Sequence, residues 1–85
     1  MVRVYTQKNC PFCTEIKDML VKEGIEFTEV DINLNENQEE ADKVFKITEA
    51  DSVPILRVGN KLLAPQVSFG SIKEAFTLTK RFLND

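Results

Sequence analysis

The hydrophobic period of this chain changes from two to nearly four within its first twenty residues, and the change falls on a pair of cysteines. In "VRVYT" (2–6), Val2 and Val4 alternate with Arg3 and Tyr5 over a β-branched stretch, as in a strand with one face in a core. From Pro11 onward Cys13, Ile16, Met19 and Leu20 recur at helical spacing. Glu15, Lys17, Lys22 and Glu23 take the other faces, and Gly24 stands where a C-terminal cap belongs. A strand that becomes a helix through "KNCPFC" has few ways to fold. Proline is pre-organised for the first helical position, so Cys10 becomes the N-cap, with Cys13 one turn further in. Functional sites of open α/β sheets cluster at such junctions, where a strand ends and a helix begins.

The remaining elements follow from the same patterns. "IEFTEVDI" (25–32) is rich in β-branched and aromatic residues and reads as a second strand. Its alternation slips between Phe27 and Val30, which calls for a bulge or for burial on both faces. "NENQEEADKVFKI" places Ala41, Val44 and Phe45 at helical spacing behind an acidic first turn, favourable at the positive end of a helix dipole. The acidic run Glu36 to Glu40 is expected to be a solvated helix start. "SVPILRV" and "KLLA" flank Gly59-Asn60, a hairpin signal, so strands three and four should be antiparallel. In "SIKEAFTLTKRFLN", Ser71 and Glu74 suit a capping box, and Ile72, Ala75, Phe76, Thr79, Phe82 and Leu83 form an apolar stripe. Phe27, Phe45, Phe69, Phe76 and Phe82 are expected in the core.

The order is βαβαββα, an α/β fold in which the first strand, helix and second strand form a right-handed parallel unit and the hairpin joins the same sheet. Helices should cover both faces. At 85 residues the chain is expected to form one domain, 1–85, that buries about 60 to 65% of its unfolded surface. A net charge of −3 argues against nucleic acid or an anionic membrane as partner. No apolar run approaches the roughly 20 residues of a membrane span, and "MVRVYT" has no signal-peptide character, so the cytoplasm is the expected compartment.

In a reducing compartment, a Cys-x-x-Cys pair is first a catalytic or metal-binding feature and only last a staple. A structural zinc site takes about four Cys or His ligands. This chain has two cysteines and no histidine. A structural disulfide stabilises by closing a long loop, and a four-residue ring removes little unfolded-state entropy. A reactive dithiol has a positive argument. An N-cap sulfur faces the unpaired N–H groups of Phe12 and Cys13 and the positive end of the helix dipole, and Lys8 adds a cation, so the thiolate is favoured. Cys10 is therefore the expected nucleophile. Cys13, covered by the sheet, is the expected resolving thiol. No metal, nucleotide or bound cofactor is required. Val53-Pro54 admits two readings: a proline tolerated at the start of an edge-like strand, or a cis bond that leaves the Val53 N–H and C=O free to pair with an extended substrate.

"YTQKNCPFC", the element order, "SVP" before the hairpin and the overall size together resemble the dithiol glutaredoxins of the thioredoxin-fold superfamily. The resemblance implies a thioredoxin fold with a four-stranded mixed sheet flanked by three helices, and a cis Pro54. It also implies reduction of protein disulfides or glutathione mixed disulfides at Cys10, with no bound cofactor. Lys8, Pro11, Phe12, Val53, Pro54 and Ser68 are the candidate substrate contacts. Implied partners are glutathione as reductant and disulfide-bearing proteins such as ribonucleotide reductase, met by a monomer. Where the family usually has Gly-Gly and then an acidic residue after the fourth strand, this chain reads Ala64-Pro65-Gln66-Val67-Ser68, with Ser68 left to offer its hydroxyl. Pro65 has no N–H to donate. Before the Val-Pro, where many members carry a basic residue, stand Glu49 and Asp51. These departures suit an alternative in which thioredoxin reductase supplies the electrons. A third possibility is a glutathione-dependent [2Fe-2S] carrier, opposed by the proline after Cys10 and by a ligand count short of the four cysteines such clusters use.

Overall fold

The computed structural model describes residues 1–84, so the last residue of the expected 1–85 domain lies outside the described residues. The elements are β1 (Val2–Thr6), α1 (Pro11–Lys22), β2 (Phe27–Asp31), α2 (Gln38–Thr48), β3 (Ile55–Val58), β4 (Lys61–Leu63) and α3 (Ile72–Leu83). A single 3-10 turn, Asn35–Asn37, precedes α2, so the α-helix begins three residues into the stretch that reads as helical. The strands form one mixed sheet in the order β2-β1-β3-β4, parallel between β1 and β2 and antiparallel at the other two pairings. This is the four-stranded thioredoxin-type arrangement flanked by three helices.

Two cores lie on opposite faces of the sheet. Val2, Val4, Leu56, Val58 and Leu63 pack with Ile16 and Leu20 of α1 and Ile72 and Ala75 of α3, and Phe69 is buried among them. On the other face Tyr5, Val30 and Ile55 pack with Val44 of α2. The slip in β2 is burial on both faces. Its register with β1 runs unbroken from Val2–Phe27 to Thr6–Asp31, with Phe27 packed toward one core and Val30 toward the other. Of the five phenylalanines expected inside, Phe69 is buried and Phe27, Phe45, Phe76 and Phe82 are half-buried at the edges of the cores. Leu83, placed on the apolar stripe of α3, is 37% exposed.

Local chemistry explains the helix ends. Gly24 follows the last turn of α1 at φ 70°, and its N–H donates to Val21 O at 3.0 Å while the Ile25 N–H donates to Leu20 O at 2.9 Å. That is a Schellman motif, and Ile25 packs onto the core that holds Leu20. At α3 the Ser71 hydroxyl accepts the Glu74 N–H at 3.2 Å, and the Glu74 carboxylate reaches back one residue further than a capping box requires, to the Gly70 N–H at 2.7 Å.

Tyr5 and Glu40 depart from the sequence expectation. Period-two alternation puts Arg3 and Tyr5 on the same face of β1, and α2 covers that face. The Glu40 carboxylate accepts from Arg3 Nε and Nη2 at 2.8 and 2.9 Å and from the Tyr5 hydroxyl at 2.5 Å. Glu40 is thus a tether for α2, unlike the solvated residues around it. Arg3 also stands opposite Arg57 in the β1–β3 register, a like-charge pair that the carboxylate relieves. The hydrogen bond from Arg3 holds the Glu40 carboxyl below its ordinary range. Burial, followed by the bond to Glu40, raises the Tyr5 phenol.

A carboxyl that titrates below its ordinary 4.5 in the folded protein contributes fully above pH 4.5, and that contribution is lost as pH falls through the lowered value. Urea unfolding of Glu40→Gln should show a loss of about 1 to 2 kcal/mol at pH 7. The difference from wild type should shrink on acidification below pH 4.5. A deficit that stays constant to pH 2.5 would contradict this assignment.

Candidate active site

The junction between β1 and α1 builds the site. β1 ends at Thr6, the chain turns through Gln7–Asn9 with Asn9 at φ 59°, and α1 starts at Pro11. Cys10 is the N-cap, with extended backbone at φ −114° and ψ 100°. Its Sγ accepts the Cys13 N–H at 3.1 Å, and its carbonyl accepts the Thr14 N–H at 3.1 Å. Of the two amides expected at this sulfur, that of Cys13 donates to it. Cys10 is half-buried, whereas Cys13 is 1% exposed beneath it. The two are joined as a disulfide, with Cα atoms 5.2 Å apart.

Two cavities lie beside the first turn of α1, and one of them contains both cysteines. One lies on the β2 side, lined by Lys8, Cys10, Pro11, Cys13 and a polar wall of Thr6, Lys17, Glu29 and Asp31. In that wall Glu29 Oε2 accepts from Lys17 Nζ and from the Thr6 hydroxyl, each at 2.8 Å. These bonds, Lys17's first, hold the Glu29 carboxyl below its ordinary range. Sequence reading missed this pair, although the spacing of Cys13 and Lys17 on one helix face was available to signal it.

The other cavity is a groove between α1 and α3, lined by Phe12, Ser52, Val53, Pro54, Pro65, Gln66, Phe69, Gly70, Ser71 and Ile72. The Val53–Pro54 bond is cis. Pro54 precedes β3, an inner strand, and ladder pairing begins only at Ile55, so its missing N–H costs no sheet hydrogen bond. The structure thus brings Phe12, Val53 and Pro54 together in one cavity, and Lys8 and Pro11 together with both cysteines in the other. Ser68 lines neither cavity. Its hydroxyl accepts the Ala64 N–H at 3.2 Å and closes the turn after β4. Helix α3 begins after Ser71, so Ser68 has no helix N-terminus beside it.

A profile of the glutaredoxin family matches residues 2–63. The chain belongs to the glutaredoxin family. Its relatives include an uncharacterized glutaredoxin-like 8.6 kDa protein from the rubredoxin operon of Clostridium pasteurianum, 24% identical over 63 residues that cover 74% of this chain and 81% of that protein. The gene 56 protein of Mycobacterium phage L5 is 42% identical over 55 residues, 65% of this chain, and the match spans about half (52%) of that protein. Among solved structures, a wheat glutaredoxin superposes with a TM-score of 0.72 at 19% identity, over 98% of this chain and 78% of that one. Glutaredoxin C1 of Populus tremula x tremuloides gives 0.69 at 17% identity, over 98% and 67%. Family, fold and the bonded Cys-Pro-Phe-Cys pair make this chain a thiol–disulfide oxidoreductase. No helix among the described residues is long and apolar enough to cross a membrane.

Exposure separates the two sulfurs once the bond between them is reduced. Brief treatment of the reduced protein with iodoacetamide at pH 7 should label Cys10 first, as read by peptide mass mapping. A first label on Cys13 would contradict the described burial.

Proposed function

We propose that this chain reduces disulfides of a partner protein, with Cys10 as nucleophile and Cys13 as resolving thiol. The observation that carries this is the N-cap: an accessible sulfur aimed at by the Cys13 amide, with a second sulfur buried within bonding reach. The Cys10 thiolate attacks one sulfur of the substrate disulfide, and the departing substrate thiolate takes up a proton. A mixed disulfide joins Cys10 to the substrate. The Cys13 thiol loses its proton and attacks Cys10 Sγ, the second substrate thiolate leaves and is protonated, and the Cys10–Cys13 bond forms. Two electrons and two protons have passed to the substrate. A disulfide enzyme such as ribonucleotide reductase is a fitting acceptor.

The oxidised pair must then be reduced by glutathione or by a flavoprotein such as thioredoxin reductase. The groove favours the flavoprotein. After β4 three donors that could hold the γ-glutamyl carboxylate are spent or missing: Pro65 has no N–H, the Ala64 N–H is taken by Ser68 and the Gly70 N–H by Glu74. Glu49 and Asp51 present the wrong sign to a glycyl carboxylate.

Turnover of a protein disulfide such as that of insulin, driven by NADPH with either thioredoxin reductase or glutathione plus glutathione reductase, tests both parts. The expected result is turnover with the flavoprotein and little with glutathione. Cys10→Ser should reduce the rate to that without protein in both systems. Cys13→Ser should give no flavoprotein-driven turnover and should accumulate the mixed disulfide. Faster turnover with glutathione would overturn the choice of reductant, and activity in Cys10→Ser would overturn the mechanism.

A further inference from the structure

We infer that the substrate this dithiol meets is an extended, positively charged protein segment, laid in the groove between Phe12, Ser52–Pro54 and the start of α3. The inference rests on the proposed role of Cys10 and adds the chemistry of what reaches it. The floor of the groove is apolar: Val53, Pro54, Phe69 and Ile72 are buried. The Phe12 ring, 61% exposed two residues after Cys10, is a wall without a partner of its own. Such a floor binds main chain and apolar side chains with little discrimination, so selectivity falls to the rim.

The rim is acidic. Glu74 lines the adjoining cavity and is tied to the groove by its hydrogen bond from Gly70, which lines both. Glu49 and Asp51 are exposed in the loop that delivers Ser52. Glu15 lies one turn after Phe12, its neighbour on the surface of α1. Among the described residues, none of these four carboxylates is in an ion pair. Against them stand Lys73 in the first turn of α3, Lys46 in the last turn of α2 and the positive end of α3 itself, while Lys8 lines the separate cavity on the β2 side. Unpaired charges of one sign around a docking groove steer an oppositely charged partner inward and turn away a like-charged one. Glutathione, with two carboxylates and one ammonium, is disfavoured by the same field that draws in a lysine- or arginine-bearing segment.

The redox step is unchanged: the substrate S–S bond breaks, the Cys10–Cys13 bond forms, and two electrons and two protons pass to the substrate. Single-turnover reduction by the pre-reduced full chain isolates docking from any reductant. The probes are three peptides with the same internal disulfide, flanked by lysine, glutamine or glutamate. The expected order is lysine, glutamine, glutamate, with about tenfold between the extremes at low salt. The spread should collapse in 1 M NaCl, where the Debye length is about 3 Å. In a Glu15→Gln, Glu49→Gln, Asp51→Asn variant the ratio of lysine to glutamate rates should fall toward one; Glu74 is left in place because it caps Gly70. Equal rates for the three peptides at low salt, or a preference for glutamate, would overturn the inference while leaving Cys10 as nucleophile. Reduction of none of them would overturn the proposed function as well.

Discussion

Everything at the reactive end of this molecule depends on where one helix is made to begin. Pro11 fixes the first turn of α1, and the turn then presents its Cys13 amide to the sulfur of the preceding residue at 3.1 Å. A helix starting even one residue later would leave Cys10 in a loop, its sulfur outside the reach of that amide. β1 supplies the other half of the constraint. It is an inner strand paired on both sides, and the three-residue turn after Thr6 places Cys10 relative to it.

The opposite wall of the site is set from the far face of the sheet. Glu40 binds Arg3 and Tyr5 and so locks the start of α2 to the same strand that leads to the dithiol. α2 ends at Thr48, its cap Glu49 lies in the left-handed region with its N–H on Phe45 O at 2.8 Å, and five residues after Glu49 the chain reaches Pro54. One strand therefore fixes both sides of the groove, directly through α1 and indirectly through α2. The cluster achieves this with partly exposed charges, whose bidentate geometry gives direction more than energy.

Much of this was legible in the sequence, because the informative signals were local. The switch of period at Pro11, the hairpin at Gly59-Asn60 and the Ser71–Glu74 cap each involve residues within a few positions of one another, and each is found. The order βαβαββα followed. Contacts between residues far apart in the chain were not legible. Tyr5 and Glu40 are 35 positions apart, and nothing in the alternation of β1 shows that a hydroxyl on its apparently polar face will be buried with a carboxylate. The start of α2 was blurred for a related reason: acidic residues suit the first turn of a 3-10 or an α-helix equally. Ser68 was named for its hydroxyl, yet that hydroxyl closes its own turn, a competition between side chain and backbone that only coordinates reveal.

Two ion pairs flank α1. Lys17 joins it to Glu29 of β2, and Glu23, at its C-cap, joins it to Lys80 of α3. Contacts of this exposure add little to stability. Their anchor points lie on opposite flanks of the buried stripe, so together they oppose rotation of the helix about its own axis while leaving its first turn unencumbered. The protein thus holds its reactive atom as a mast is held by stays. Ions in solution that slacken the stays would leave the buried stripe of Cys13, Ile16 and Leu20 alone to hold the mast upright.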